Sequence, residues 1–267
     1  MSQGQVVILS GAGISTESGI PDYRGATGAV RPATPMTYQV FTGSPEARQR
    51  YWARSHLGWR VITSALPNAG HRAVADLQAD GLVAAVVTQN VDGLHQAAGA
   101  REVVELHGGL DRVVCLQCGE RSGRDGLDAR LREANPGFVR AALPLKPDGD
   151  VDLEDVSGFH VVDCLVCEGL LKPDVVFFGE TVPADRVAQA FAAVDAASAL
   201  LVLGSSLTVM SGYRFVLRAA RAGLPVAIVN QGPTRGDAHA TVRVDARLGE
   251  VLPAVRDALA TGRRRAG

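Results

Sequence analysis

Short runs of aliphatic and β-branched residues alternate along this chain with longer stretches whose apolar positions recur every three or four residues. Val6-Val7-Ile8-Leu9, Leu82 to Val87, Leu200 to Leu203 and Val226 to Val229 are continuous apolar runs of strand length. Such runs are expected where helices cover both faces of a parallel sheet. Ala69 to Ala79, Pro183 to Ala197 and Ser211 to Ala222 carry the helical period between them. The last of these stops at Gly223, with Pro225 two residues on, a C-terminal signal. Leu248 to Leu259 predicts a closing helix. The alternation predicts an α/β fold, a Rossmann-like doubly wound parallel sheet with right-handed crossovers.

Two stretches break this rhythm. Residues 26–64 are rich in Arg, Gly, Pro and aromatics, with a helix expected near Glu46 to Trp59; residues 112–170 hold all four cysteines and the loop Pro147-Asp148-Gly149-Asp150. Both read as insertions that together build a smaller domain. The expected division is 1–25, 65–111 and 171–267 for a discontinuous large domain, and 26–64 with 112–170 for the small one.

Composition narrows the class. A chain of 267 residues, 46% hydrophobic, can bury a sizeable core. No apolar run reaches the ~18 residues of a membrane span. Met1-Ser2-Gln3-Gly4-Gln5 has no basic region or apolar run of signal length, so a cytoplasmic protein without a membrane partner is expected. A formal charge of −1 supplies no basic face for nucleic acid. Arg263-Arg264-Arg265 reads as a solvated terminus, and a monomer is the expected state.

Six segments carry candidate chemistry. Gly11-Ala12-Gly13 follows the first strand, where glycines permit a tight turn and close approach of backbone N–H groups to a pyrophosphate. Thr16 occupies the place of a third glycine, so alone the motif fits a plain strand–turn–helix equally well. Ser18 to Gly25 is too loop-like for an ordinary Rossmann helix and reads as a flap carrying Arg24. Gln89-Asn90-Val91-Asp92 and Leu106-His107-Gly108-Gly109 lie at the ends of two further apolar runs, the edge where ligands bind in open α/β sheets. Helix capping explains Asn90 or Asp92 but not the whole set. A histidine beside two glycines can reach a ligand and act as a base near neutral pH; His71, His95 and His160 compete for that role. Gly204-Ser205-Ser206 and Asn230-Gln231-Gly232 add polar loops after two more strands.

The cysteines form the pairs Cys115-Leu116-Gln117-Cys118 and Cys164-Leu165-Val166-Cys167. Two C-x-x-C knuckles supply four thiolates for a tetrahedral zinc that leaves no position for water, and is therefore structural. A redox dithiol, the competing reading, needs only one pair. The spacer exceeds the ~15–20 residues of a compact ribbon, so the zinc ribbon holds an insertion.

Together these segments resemble the sirtuins. Gly11 to Ser15 with Gly19-Ile20-Pro21-Asp22-Tyr23-Arg24 is similar to their first NAD motif, Thr88 to Asp92 with Leu94-His95 to the second, and His107-Gly108-Gly109 to the catalytic histidine segment. Lys172 to Glu180 resembles the strand that pairs with substrate peptide, and the cysteines resemble the family zinc site. The resemblance implies an NAD-dependent protein-lysine deacylase with acyl-lysine proteins as partners. NAD would be consumed: the acyl oxygen attacks the ribose C1′ as nicotinamide leaves, and His107 deprotonates a ribose hydroxyl that attacks the resulting imidate carbon. The products would be free lysine, nicotinamide and 2′-O-acyl-ADP-ribose.

Site roles follow from the same resemblance. His107 and Asn90 would be catalytic, with Asn90 on the ribose, Val91-Asp92 on the carboxamide and Gln89 in the same pocket. Gly11, Ala12, Gly13, Thr16, Asp22, Tyr23, Arg24, Gly204, Ser205, Ser206, Asn230, Gln231, Gly232 and Leu248 complete the cofactor set. Val175, Val176, Phe177, Phe178 and Gly179 with Leu207 and Val209 would hold the peptide as an added strand. Tyr51-Trp52-Ala53-Arg54, Trp59 and Ser211-Gly212-Tyr213-Arg214-Phe215 resemble the class II branch, whose members tend to be weak deacetylases and to which lipoyl, branched-acyl and ADP-ribosyl chemistry has been attached. Tyr51 and Arg54 also fall at the Tyr-x-x-Arg spacing that class III members use for acidic acyl groups; one helical turn separates them, so both could face an acyl pocket, and the competing reading is a helix whose Arg54 is merely solvated. A protein mono-ADP-ribosyltransferase and a non-catalytic NAD-sensing module are the other readings of these residues.

Overall fold

The computed structural model describes residues 5–23, 35–138, 151, 153 and 155–266, with side chains as far as residue 261. Strand β1 (Val6–Ser10) leads into two 3-10 turns, Ala12–Ile14 and Thr16–Ser18. Helices α1 (Tyr38–Gly43), α2 (Pro45–Ser64) and α3 (Ala69–Ala79) follow. Next come β2 (Val83–Thr88), the one-turn α4 (Leu94–Ala97) and β3 (Val103–Glu105). Strands β4 (Gly108–Cys115) and β5 (Arg121–Gly123), helix α5 (Arg124–Ala134) and β6 (Leu171–Val175) form the middle of the chain. Helix α6 (Ala184–Ala196), β7 (Ala199–Leu203), α7 (Met210–Arg221), β8 (Val226–Val229), β9 (Val242–Val244) and α8 (Leu248–Ala266) close it.

Six strands form one parallel sheet in the order β3-β2-β1-β7-β8-β9. Successive side chains of a strand point to opposite faces, and β1 shows the consequence. Val7 and Leu9 join Val87, Val202, Phe215 and Ala190 on the face covered by α6 and α7, while Ile8 joins Val74, Val86 and Leu252 on the face covered by α3 and α8. All three β1 residues are fully buried, each stabilising the fold by about 1.5–3 kcal/mol. This double coverage is why the strands read as unbroken apolar runs.

Local signals set the helix ends. Ser44 accepts from the Ala47 N–H at 3.0 Å, with Pro45 in the first helical position, so α2 starts where its sequence dictates. It runs to Ser64, beyond the expected Trp59. Helix α8 likewise continues past Leu259 to Ala266, so Arg263-Arg264-Arg265 belongs to a helix.

The three-stranded antiparallel sheet β5-β4-β6 packs with α2 and α5 around Phe41, Trp52, Leu127, Leu131, Phe159 and Leu171. Strand β6, expected on the large-domain side of the boundary at residue 170, pairs with β4 in this small sheet. A buried charge network joins the two inserted segments. Arg124 of α5 lies between Trp52 and Trp59 of α2, 5.4 and 5.3 Å from their ring centroids, and 3.5 Å from Asp128. Asp128 also holds His56 at 2.6 Å and Arg132 at 2.7 Å.

Candidate active site

The winding of the large sheet reverses between β1 and β7, and the crevice beyond their carboxyl ends is where such sheets bind ligands. Two loops meet there backbone to backbone. The Gly11 N–H donates to the Leu203 carbonyl at 3.0 Å and the Gly13 N–H to the Gly204 carbonyl at 2.8 Å. A Cβ on Gly13 would stand 2.8 Å from the Gly204 Cα, and Gly204 has φ +60°, so both positions demand glycine. The glycines therefore serve the loop–loop contact, and their own N–H groups are taken up by it. Between Gly11 and Ser15 only the Ala12 N–H lacks a partner among the described residues; Ile14 and Ser15 donate to Gly11 and Ala12.

The loop after β2 is cross-linked to this turn. Asn90 Nδ2 donates to the Gly11 carbonyl at 3.2 Å and to Ser15 Oγ at 3.1 Å, and Ser15 Oγ donates to Asp92 Oδ2 at 2.7 Å. Asp92 Oδ1 accepts from the Leu94 N–H, the first of α4, at 3.0 Å, and the residue also lines the crevice. Burial pushes the Asp92 carboxyl up, and the bonds from Ser15 and Leu94 oppose that shift. Gln89 Nε2 reaches across to Ser205 Oγ at 2.9 Å.

His107 stands between β3 and β4 with both ring nitrogens engaged. The Gln89 carbonyl lies 2.9 Å from Nδ1, which therefore carries the proton, leaving the Nε2 lone pair as acceptor 2.8 Å from Ser211 Oγ. Burial lowers the His107 pKa; Arg186 and Arg214 lower it further, against the bond to Gln89. The ring is thus a neutral base, and the residue lines the crevice.

A cavity of about 670 Å³ brings most of the expected residues together. Gly11, Ala12, Gly13, Asp22, Tyr23, Gln89, Asn90, Val91, Asp92, His107, Gly204, Ser205, Ser206, Asn230 and Gln231 line it, as do Tyr51, Val175 to Gly179, Leu207 and Val209. Four do not. Thr16 is exposed and donates to the Gly13 carbonyl, Gly232 serves as acceptor for Asn230 within its own turn, and Leu248 is buried among Ile8, Val74 and Leu252. Arg54 donates through Nε and Nη2 to the Leu153 carbonyl at 2.8 and 2.6 Å. Tyr51 thus lines the cavity while Arg54, expected to face an acyl pocket beside it, does not and reaches the Leu153 carbonyl instead. Arg24 lies outside the described residues. Ser15, Ser211 and Arg214, quoted above only as members of motifs, enter the site without having been given a role in it, since no spacing in the sequence brings residue 211 to residue 107.

The four cysteine Sγ atoms lie within 4.8 Å of one another, Cys115 with Cys167 at 3.5 Å and Cys118 with Cys164 at 3.8 Å. Zn–S bonds of about 2.3 Å in a tetrahedron require sulfurs about 3.8 Å apart, so the set fits one zinc with no position left for water. The Gln117 and Val166 N–H groups donate to Cys115 and Cys164 sulfur, both at 3.4 Å, as expected of thiolate ligands. None of these cysteines lines the cavity.

Fold and site together define a dinucleotide-binding α/β protein whose crevice holds a neutral histidine, with a four-thiolate ribbon set apart from it. The chain belongs to the Sir2 family, whose model matches residues 11–211. It is 63% identical to NAD-dependent protein deacetylase 1 of Streptomyces coelicolor over 96% of this chain and 86% of that relative. It is 52% identical to NAD-dependent protein deacetylase 1 of Mycobacterium avium, over 96% and 92%. Among solved structures, a Sir2–p53 peptide–NAD+ complex superposes with a TM-score of 0.77 at 32% identity, covering 96% of this chain and 94% of that one. A Sir2 complex with the inhibitor EX-527, 2′-O-acetyl-ADP-ribose and deacetylated p53 peptide gives 0.74 at 32% identity, over 96% and 94%. No helix among the described residues is long and apolar enough to cross a membrane.

Proposed function

We propose that this protein is an NAD-dependent protein-lysine deacetylase. The observation that carries the reading is His107: a half-buried imidazole that lines the cavity, kept neutral by its lowered pKa and fixed through Nδ1 on the Gln89 carbonyl. NAD supplies the ribose that receives the acyl group. Asn90 and Gln89 suit its ribose hydroxyls, Asp92 and Val91 the nicotinamide carboxamide, and Ser205, Ser206, Asn230 and Gln231 the adenosine half. Val175 to Gly179 on one side and Leu207 to Val209 on the other leave a gap for an extended acetylated peptide. The exposed faces of Tyr23, Phe178 and Val209 make its rim apolar.

The residues at 51–54, 59 and 211–215 support a place in the class II branch. Trp52 and Trp59 serve there as the walls around Arg124. We also divide the chain into a discontinuous NAD-binding domain (1–25, 65–111, 171–267) and a small domain (26–64, 112–170), with β4 and β6 as the joint between them. The test is nicotinamide release by the zinc-loaded protein with an acetyl-lysine peptide. The expected result is stoichiometric nicotinamide, free lysine and acyl-ADP-ribose, abolished by His107→Tyr. Acyl-lysine turnover surviving in that variant would refute the assignment of the base, and ADP-ribose transferred to protein instead would identify a mono-ADP-ribosyltransferase.

A further inference from the structure

Ser211 is the second residue of α7, nearly buried, and its Oγ lies 2.8 Å from His107 Nε2. That hydroxyl has no other hydrogen-bond partner among the described residues. Because Nδ1 carries the ring proton, Ser211 must donate to Nε2 in the resting protein. The contact is imposed by the packing of the helix. The next residue, Gly212, lies so close to the Gln89 carboxamide that a Cβ there would collide with it. The backbone carbonyl of the same Gln89 holds the other face of the histidine. The first turn of α7 is thus seated on both residues that define the base.

We propose that Ser211 is a positioning residue for His107, a hydroxyl that follows Nε2 through its protonation cycle. It donates to the lone pair of the neutral ring. The arriving ribose hydroxyl displaces the serine O–H from that single lone pair and hands over its proton as its oxygen bonds to the imidate carbon; the Ser211 rotor, already turned, then accepts from the new N–H. No proton leaves the serine, and the ring keeps its orientation throughout. A hydroxyl is suited to this because it is both donor and acceptor; an alanine or a proline at this position is neither.

The inference rests on the deacetylase reading and deepens it. Its test uses the two halves of that reaction: in the mechanism above nicotinamide leaves before the base acts, so exchange of labelled nicotinamide into NAD reports the first half alone. In zinc-loaded Ser211→Ala, single-turnover loss of the acetyl group should slow by roughly tenfold or more, the worth of one hydrogen bond to a charged ring, while nicotinamide exchange stays within about twofold. Ser211→Thr, which keeps the hydroxyl, should restore deacetylation to within about threefold. In the ring nitrogen NMR spectrum, the His107 Nε2 signal should move in the alanine variant and Nδ1 should remain the protonated nitrogen.

Equal deacetylation by wild type and Ser211→Ala, or a threonine variant as slow as alanine, overturns the role of Ser211 alone. Parallel loss of exchange and deacetylation would make Ser211 a purely structural residue and also overturns it. A wild type that neither exchanges nor deacetylates overturns the underlying activity, and the inference with it.

Discussion

His71 of α3 and His95 of α4 sit with ring centroids 5.0 Å apart beneath the β1 turn, both fully buried. His95 Nε2 bonds Ser10 Oγ at 2.9 Å, but His71 Nε2 and His95 Nδ1 have no hydrogen-bond partner among the described residues. Burial, followed by the Arg72 charge, lowers the His71 pKa to about 4; burial, followed by the neighbouring His71, lowers that of His95 to about 3. An unfolded histidine titrates near 6.5. Below that pH the unfolded chain takes up protons that the folded protein refuses, so stability present at neutral pH is lost as the pH falls toward those lowered values. Linkage puts the loss at pH 5 at about 2 kcal/mol for each ring.

Urea unfolding of the zinc-loaded protein at pH 7.5 and 5.0 measures the effect, with His71→Phe as the control that fills the space and cannot titrate. Groups common to both proteins cancel in the difference. Wild type should lose about 2 kcal/mol more than His71→Phe between the two pH values. Equal losses would mean that His71 is already protonated in the folded state, and the reasoning from burial would be refuted.

Three further outcomes follow from the geometry. The lowered pKa of His107 places the acidic limb of kcat/KM for deacetylation below the ordinary histidine value of about 6.5; a midpoint at or above that value in a pH–rate profile contradicts the neutral-base assignment. Asp128→Ala leaves Arg124 and His56 buried without their carboxylate and should cost about 3–5 kcal/mol in chemical unfolding, far more than the ~0.5 kcal/mol of an ordinary surface change. Arg54→Met should leave the ratio of acetyl to succinyl turnover unchanged, because that guanidinium is held by the Leu153 carbonyl; a selective loss of succinyl activity would place it in the acyl pocket after all.

The parallel sheet was legible because β1, β2, β7 and β8 are buried on both faces and so carry continuous apolar runs. Helix α3 was legible to the residue, since Asn68 caps it and Gly81 follows it. The small strands β5 and β9 were not: three residues each, largely exposed, they show no apolar period. In the site, residues whose neighbours lie at strand ends could be read from the chain, because the sheet edge gathers them. What could not be read was which backbone groups would already be occupied. Gly11 and Gly13 look the same in sequence whether their N–H groups meet a phosphate or the β7 loop. Arg54 and Ser211 share that difficulty, one taken out of the site by the carbonyl of Leu153, 99 residues away along the chain, and the other brought into it by the docking of α7.

The central place of β1 also has a bearing on synthesis. Its partner on one side, β2, follows closely, whereas β7 on the other side pairs Val6 with Ala199. At about 5–20 residues per second, the ribosome needs on the order of 10–40 s to make the intervening chain. For that interval the first strand has a bare apolar edge at the very position that will become the middle of the sheet, and until β7 arrives the crevice has only one of its two walls. A nascent chain of this protein is therefore a target for holding chaperones until its last third emerges, and truncations short of β7 should aggregate instead of forming a smaller version of the fold.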